Sequence, residues 1–463
     1  MPYLYNENSK ESIRDFARML EDSCVAEALE KNAMYGGMPA GESSLVPTKE
    51  YSGKGGFGQY LEEVYFGKRN DSYSRADFEA AGLELKTAPL KKLGNGEVRA
   101  KERIVLGIMD FMTIVNESFE TSHFVAKNLD ILLVFYFHDS LKEYCNLDIP
   151  LVDIWNCIKE DGNQIRKDWE HIVNKVKEGR AHEISEGDTL YLGACTKGAT
   201  RETSQREQPF SSLLAHARAF CFKVQYVNHI YKVLLDRKKN RAVSYVHIIN
   251  TPETELEQIV QNKFSPYIGM DVLMICRLLK IPFKPKVKNF YAMITKRILG
   301  ADETQQIYEF EAADIQVKTI RIEPNGKCKE SMSFKQIRYE EIVDQEWEDS
   351  DFYIELTSKF FFIVFKHDHQ DDPYILDRVL FWNMPEKDLE IAKQVWLDAQ
   401  QKISRGDYDN FIKSSNRQIA HVRPHAKDST DVMRTPQGTF EKKKSFWLNR
   451  SYIMDILHNA LWV

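Results

Sequence analysis

The longest unbroken apolar run in the chain is DILLVFYF, residues 130–137. It is far too short to span a bilayer and fits a buried central strand, which presents apolar groups on both faces. FFFIVFKHD (360–368) echoes ILLVFYFHD (131–139). Elsewhere the pattern is amphipathic. In QYLEEVYFG (59–67), Tyr60, Leu61, Val64 and Tyr65 fall at i, i+1, i+4 and i+5, which predicts a helix ending at a glycine cap. KNFYAMITKRILG (288–300) carries the same helical pattern. Asn95-Gly96 and Asn325-Gly326, each set between alternating residues, predict hairpins because both residue types tolerate positive φ.

These paired signals belong to one internal duplication. DFEAAGLELKT (77–87) aligns without a gap on EFEAADIQVKT (309–319). Nine residues separate Lys86 from Asn95, and seven separate Lys318 from Asn325. The returning arm is also two residues shorter, with Gly96 to Lys101 matched by Gly326 to Lys329. Trimming a ladder by two keeps every side chain on its own face. Near the end of each half, RAFCFKVQY (218–226) is echoed by KSFWLNRSY (444–452). The expected architecture is mixed α/β in two tandem homologous domains, each a mixed β-sheet flanked by helices. The expected limits are 1–235, a linker at 236–252, and 253–463, with TPET (251–254) starting a helix on its proline.

Composition narrows the class. A 43% hydrophobic content over 463 residues suits globular domains with cores of their own. Seven scattered cysteines without CxxC spacing point to reduced thiols and a cytoplasmic setting. A net charge of −6 excludes a uniformly basic protein but leaves local nucleic-acid patches open. Such clusters occur at Lys86, Lys91, Lys92, Arg99, Lys101 and Arg103, at 284–297, and at 442–444 before Phe446-Trp447. Each taken singly also fits a solvated face.

GKGGFG (53–58) fits a kinase phosphate loop, but its context does not. A helix pattern follows instead of a lysine-bearing strand, and DFM (110–112) lacks the glycine of DFG. No nucleotide cofactor is expected. The glycines are expected to let the backbone approach something closely at the helix start, a phosphate being one candidate.

Asp77, Glu84 and Lys86 form D-x6-E-x-K. On a strand, Glu84 and Lys86 project from one face, and a turn at 80–82 returns Asp77 towards it. Two carboxylates with a backbone carbonyl suit Mg²⁺, and an adjacent lysine can orient water and stabilise phosphate charge. Glu62, on the preceding helix, adds a further carboxylate. An E-x-K pair alone is often an ordinary strand face. In the second copy, however, Asp77 becomes Glu309, Glu84 becomes Gln316 and Glu62 becomes Thr295, while Lys318 remains. The differences fall on the acidic ligands, so the second copy is expected to bind Mg²⁺ poorly or not at all.

These residues resemble the MutH-like branch of the PD-(D/E)xK nucleases. KGGFGQYLEEVYFG (54–67) looks like that family's K-G-x-x-G-x-x-x-E helix, which puts its lysine on Lys54 and its glutamate on Glu62. DFEAAGLELKT matches the D-F-x-x-x-G-x-E-L-K-T block, and GRAHEISEG (179–187) and ACTKGA (194–199) match segments of its restriction branch. The resemblance implies a Mg²⁺-dependent type II restriction endonuclease that cuts double-stranded DNA at 5′-GATC-3′. It further implies an inactive C-terminal domain acting as an allosteric DNA-binding half, with two sites held at once by a monomer or a DNA-induced dimer. The family's base-reading R-P-K turn is matched by Arg423, Pro424 and His425 in the second half, but by Cys195, Thr196 and Lys197 in the first. Expected DNA contacts are therefore Lys54, Lys197, Arg423 and His425. Two other readings stay open: a mismatch-repair-type GATC nicking enzyme, and a DNA-binding protein without catalysis. No membrane partner is expected.

Overall fold

The computed structural model describes residues 5–34, 51, 55–68, 75–93, 96–198, 204–249, 254–287, 289–329, 331–367, 369, 372–416 and 418–459. The chain divides into two compact units, Met1–Ala242 and Val243–Val463. No helix among the described residues is long and apolar enough to cross a membrane.

The first unit holds β1 (Glu84–Lys92), β2 (Val98–Ala100), β3 (Ile104–Ile108), β4 (Asp130–Phe137), β5 (Leu151–Asn156), β6 (Leu192–Thr196), β7 (Gln205–Gln208), β8 (Ser211–His216) and β9 (Arg218–Phe222). One sheet runs in the order β2-β1-β4-β5 and a second in the order β3-β9-β6, with β7 and β8 as a separate hairpin. β4 pairs parallel with β1 and antiparallel with β5, so the first sheet is mixed. As the apolar run requires, β4 is central and almost entirely buried. Leu85, Leu132 and Val134 face a core that includes Ile13, Leu20, Tyr60 and Phe78. Each such side chain, once enclosed, contributes about 1.5–3 kcal/mol.

The register of β1 on β4 decides what the site contains. Glu84 lies opposite Ile131 and Lys86 opposite Leu133, with Leu85 turned to the other face. A one-residue slip would exchange Leu85 for the charged pair and drive both charges into the core. Asp168, buried on the helix Cys157–Lys177, accepts the Leu190, Tyr191 and Leu192 N–H groups at 3.0, 2.7 and 2.9 Å. That clamp fixes where β6 starts, and therefore where Lys197 emerges at its end.

The second unit contains β10 (Tyr245–Val246), β11 (Gln306–Ile307), β12 (Gln316–Ile322), β13 (Met332–Gln336), β14 (Phe360–Lys366), β15 (Ile375–Trp382), β16 (Ala420–Pro424), β17 (Val432–Arg434), β18 (Phe440–Lys442) and β19 (Lys444–Leu448). Its sheets run β12-β14-β15 and β13-β19-β16, with pairs β10-β11 and β17-β18. β12 is parallel to β14, with Gln316 opposite Phe360. It is two residues shorter than β1, and the returning arm of its hairpin is reduced to a single bridge, Ile322 to Cys328. The left-handed turn before each strand is kept, by Gly82 at φ 60° and by Asp314 at φ 47°. Aspartate is among the few residues with a side chain that enter this region readily.

Two local expectations need correcting. The helix after the junction starts at Leu256 with Glu255 as its cap, not on Pro252, and residues 251–253 lie outside the described ones. The helix Val224–Lys238 runs on through the charged stretch expected to open the linker, because leucine, arginine and lysine all favour helix there. All seven cysteines are free thiols, as their spacing implied.

Candidate active site

Glu62 is carried by an irregular helix. Regular α-helix covers only Gly56–Tyr60 and passes into a π turn, Leu61–Tyr65, where the Phe66 N–H reaches back to the Leu61 carbonyl at 2.9 Å. π turns concentrate at functional sites because they re-aim side chains. At Gly56 an added Cβ would lie 2.5 Å from the Tyr51 carbonyl oxygen and 2.8 Å from the Tyr144 hydroxyl. The close approach expected at the glycines is thus, at Gly56, an approach of the chain to itself rather than to a phosphate. Gly53 and Lys54 lie outside the described residues.

Asp77 and Glu84 meet where β1 begins. The Asp77 N–H donates to Glu84 Oε2 at 3.2 Å, and the Leu85 N–H donates to Asp77 Oδ2 at 2.8 Å. Lys86 Nζ donates to Glu84 Oε1 at 2.5 Å. Glu84 is fully buried, yet its charge is matched on two sides, because Lys127 Nζ stands 3.4 Å from the same oxygen. Burial pushes the Glu84 carboxyl up; Lys86 opposes this, Asp77 adds to it, and Lys127 opposes it more weakly. Burial also pushes Glu62 up to about 7, with the charge of Asp77 adding to the effect, Lys86 opposing and Glu84 adding. The structure therefore brings Asp77, Glu84, Lys86 and Glu62 into one electrostatic cluster.

Lys127 was not found from the sequence. It sits on the helix His123–Asn128, whose cap Ser122 accepts the Val125 N–H, and parallel pairing of β1 with β4 brings that helix to the site. A signal did exist. Aligning the two serine-capped helices, SHFVAK on SDFYIE, sets Lys127 against Glu355 and marks a reversal of charge. Replacing Lys127 with methionine is expected to slow DNA cleavage by about 10–100-fold, as loss of an outer partner of a ligand commonly does. Wild-type single-turnover rates in that variant would remove Lys127 from the site.

The donors suit a small divalent cation. Two carboxylates converge, and their charge adds to the burial that favours a proton on nearby Glu62. No group of three or more His, Cys, Asp or Glu able to hold a metal is found among the described residues. Asp77 and Glu84 would leave the remaining positions to water, backbone oxygen and phosphate, an arrangement that small hard cations accept.

Glu62 also makes a pH prediction. Its ordinary pKa is 4.5 and its folded value about 7, so between those values the folded chain holds the extra proton. Stability therefore falls as pH rises through that window and stays reduced above it. In EDTA, Glu62→Gln is expected to be more stable than wild type by ~1–2 kcal/mol above about pH 7, a figure discounted for partial exposure. Below about pH 4.5 the two should melt together. Identical melting curves at high pH would refute the shift.

At the matching place in the second unit, the same scaffold holds different chemistry. Glu309 is buried and accepts the Ile248 and Ile249 N–H groups on Oε1, both at 3.0 Å. Thr295 is buried and donates to the Tyr291 carbonyl of its own helix at 3.0 Å. Gln316 donates to the Asp314 carbonyl at 3.2 Å. Burial pushes the Lys318 ammonium down and the Glu355 carboxyl up. Glu355 accepts the Lys335 N–H at 3.1 Å, so the buried carboxylate beside Lys318 is engaged by β13.

The expected DNA contacts are distributed as follows. Lys197 follows β6, its N–H bonded to the Ala217 carbonyl at 2.8 Å. Arg423 lies over the Trp447 ring at 3.7 Å, and His425 Nδ1 is 2.8 Å from Ser445 Oγ. In the basic hairpin, Arg99 pairs with Glu97 and Arg103 with Glu186, so part of that cluster is matched within the unit.

Comparison with known proteins agrees with this division. A family model described as the DNA mismatch repair enzyme MutH matches residues 66–168 and 300–394, one segment in each unit. Over 451 residues the chain is 34% identical to the type II restriction enzyme Sau3AI of Staphylococcus aureus, covering 86% of this chain and 91% of that enzyme. The DNA mismatch repair protein MutH of Vibrio parahaemolyticus is 27% identical over 197 residues, which is 40% of this chain and 80% of that protein. The corresponding protein of Salmonella paratyphi C is 25% identical over 194 residues, 41% of this chain and 82% of its own. Matched nearly end to end by a restriction enzyme, and by a MutH segment in each of its units, the chain belongs to the MutH-like restriction endonuclease family and is an enzyme of that class.

Proposed function

We propose that the protein is a Mg²⁺-dependent type II restriction endonuclease that cuts double-stranded DNA at GATC, built of two tandem homologous domains. In this reading the first domain is catalytic, and the second binds a further DNA site and licenses cleavage. The observation that carries it is the contrast between the units. Asp77, Glu84, Lys86 and Lys127 converge in the first, whereas in the second Gln316 is neutral, Glu309 and Glu355 accept backbone N–H groups, and Lys318 is retained.

The chain's residues divide the work. Asp77 and Glu84 hold the cation, which when bound offsets the charge on the phosphate under attack. Lys86 orients the attacking water and steadies charge on the phosphate oxygens. Glu62, with a pKa near the working pH, takes the proton from that water. Arg423 and His425 contact DNA in the second domain, and Lys197 and Lys54 in the first. The same reading places the protein in the cytoplasm, where its DNA substrate is.

The test incubates the protein with GATC-bearing plasmid in Mg²⁺ or EDTA, and compares substrates carrying one and two sites. Discrete Mg²⁺-dependent fragments ending at GATC, formed faster from the two-site substrate, are expected. Plasmid that is bound but left intact in Mg²⁺ would favour a DNA-binding protein without catalysis, and equal rates on both substrates would sink the licensing role.

A further inference from the structure

The second unit contains a cleft of about 600 Å³ along the edge of β16, within the ~300–1,000 Å³ range of ordinary small-molecule sites. Two of the residues lining it are polar and more than nine-tenths buried. His421 is 2% exposed, and neither ring nitrogen has a hydrogen-bond partner. The Asn449 side chain lies beside it and favours its charged form weakly, while its amide donates to the Gln418 carbonyl. Lys444 is 8% exposed. Its ammonium lies over the Phe411 and Tyr408 rings, at 5.5 and 5.9 Å, and is in no hydrogen bond or ion pair among the described residues. Burial pushes this ammonium down from its ordinary value. Burying such groups away from water is costly, most of all for a charge.

The first unit handles the equivalent strand positions differently. Leu192 opposite Phe222 corresponds to Ala420 opposite Leu448, which aligns Arg218 with Lys444 and Gly193 with His421. Arg218 donates to the Ala194 and Ile184 carbonyls at 2.9 and 2.5 Å, and Gly193 has no side chain to satisfy. The cation at this position thus has a structural occupation in one unit and none in the other.

The lining chemistry defines a ligand. Lys413, Arg423, Lys442 and Lys444 outnumber Asp409 and Glu441, which selects an anion. Burial, with the neighbouring Arg423 charge, holds the His421 imidazole below its ordinary pKa, so that it offers one donor and one acceptor. A phosphodiester or fully ionised phosphate accepts hydrogen bonds but has no donor for the second nitrogen, whereas the edge of a nucleobase supplies both. We propose that this cleft binds a nucleotide, its phosphate on Lys444 and Arg423 and its base edge on His421. The ligand is either a free nucleotide or one unit of a DNA strand lifted out of its stack. The inference goes beyond the duplex contacts proposed above and does not depend on catalysis by the first unit.

Calorimetric titration of the full chain in EDTA would use deoxyadenosine monophosphate, deoxyadenosine, inorganic phosphate and a short single-stranded oligonucleotide. The monophosphate is expected to bind at least about tenfold more tightly than the nucleoside or phosphate alone. Lys444→Met should weaken it by about tenfold or more, and Lys444→Arg should retain it. His421→Phe, which keeps ring volume, should weaken the nucleotide but not phosphate, and circular dichroism would establish that each variant is folded. Binding of the oligonucleotide but not the monophosphate, lost in Lys444→Met, would assign the site to a strand. The proposal is overturned if neither nucleotide species binds wild type, if Lys444→Met binds like wild type, or if phosphate alone binds as tightly as the nucleotide. Duplex retention measured on the same variants separates this from the DNA-binding reading, which stands if duplex is held while nucleotide is not.

Discussion

Replacing Glu84 with glutamine is expected to lower the rate of DNA cleavage by about a thousandfold or more while leaving DNA retention in place. The change keeps the side chain's shape and removes one charge. That charge is where the site converges: Oε1 takes Lys86 at 2.5 Å and Lys127 at 3.4 Å, and Oε2 takes the Asp77 N–H. Without it, two ammonium groups face a neutral amide, and a divalent cation loses one of its two protein carboxylates. A loss of about 4 kcal/mol in the transition state corresponds to that factor. Asp77→Ala should fall as far by a different route, since it also strips the Leu85 N–H of its acceptor. Single-turnover cleavage with Mg²⁺, alongside filter retention of the same DNA, measures both quantities. Cleavage by Glu84→Gln within about tenfold of wild type would remove Glu84 from the reaction.

Glu309→Ala is expected to destabilise the second unit by ~2–4 kcal/mol, with little effect on the first. Glu309 is buried, and its carboxylate accepts two backbone N–H groups from the segment that follows β10. Hydrogen bonds to a charged acceptor contribute about 1.5–3 kcal/mol each, and the alanine variant would leave both donors without an acceptor. β10 itself is only two residues long and pairs with β11 on the near side of Glu309, so the segment has little else to hold it. In scanning calorimetry one transition should move down and the other should stay. Two unmoved transitions would mean that Glu309 does not anchor this segment. The position aligned with Asp77 thus keeps a carboxylate that serves to hold backbone, so the identity of residue 309 alone does not report on chemistry.

Much of this molecule could be read along the chain. The buried strand β4, the hairpin after β1, its two-residue trimming in the second unit, and the shared face of Glu84 and Lys86 all follow from periodicity and spacing. Those are short-range properties, fixed by how backbone geometry alternates side chains between faces. The acid–lysine block was legible because its members lie within one turn and one strand. Even the replacement of Glu84 and Glu62 by Gln316 and Thr295 in the second copy was legible, because duplication supplied a comparison inside a single sequence.

What the tertiary structure alone decided lies where distant segments meet. Parallel pairing of β1 with β4 carries Lys127 to Glu84, and no local pattern encodes that distance. What a carboxylate does depends on what packs against it: Asp77 stands beside Glu84 and Glu62, whereas Glu309 holds the Ile248 and Ile249 N–H groups. The closeness required at Gly56 is to Tyr51 and Tyr144, contacts that only the folded chain creates. His421 and Lys444 lie on separate strands, and their shared burial becomes visible only once both are enclosed. Sequence determined the elements and the chemistry available on each, because those depend on residue type and local period. The fold decided which groups are desolvated together, and burial next to a like or an opposite charge is what turns a carboxylate or an ammonium into a functional group.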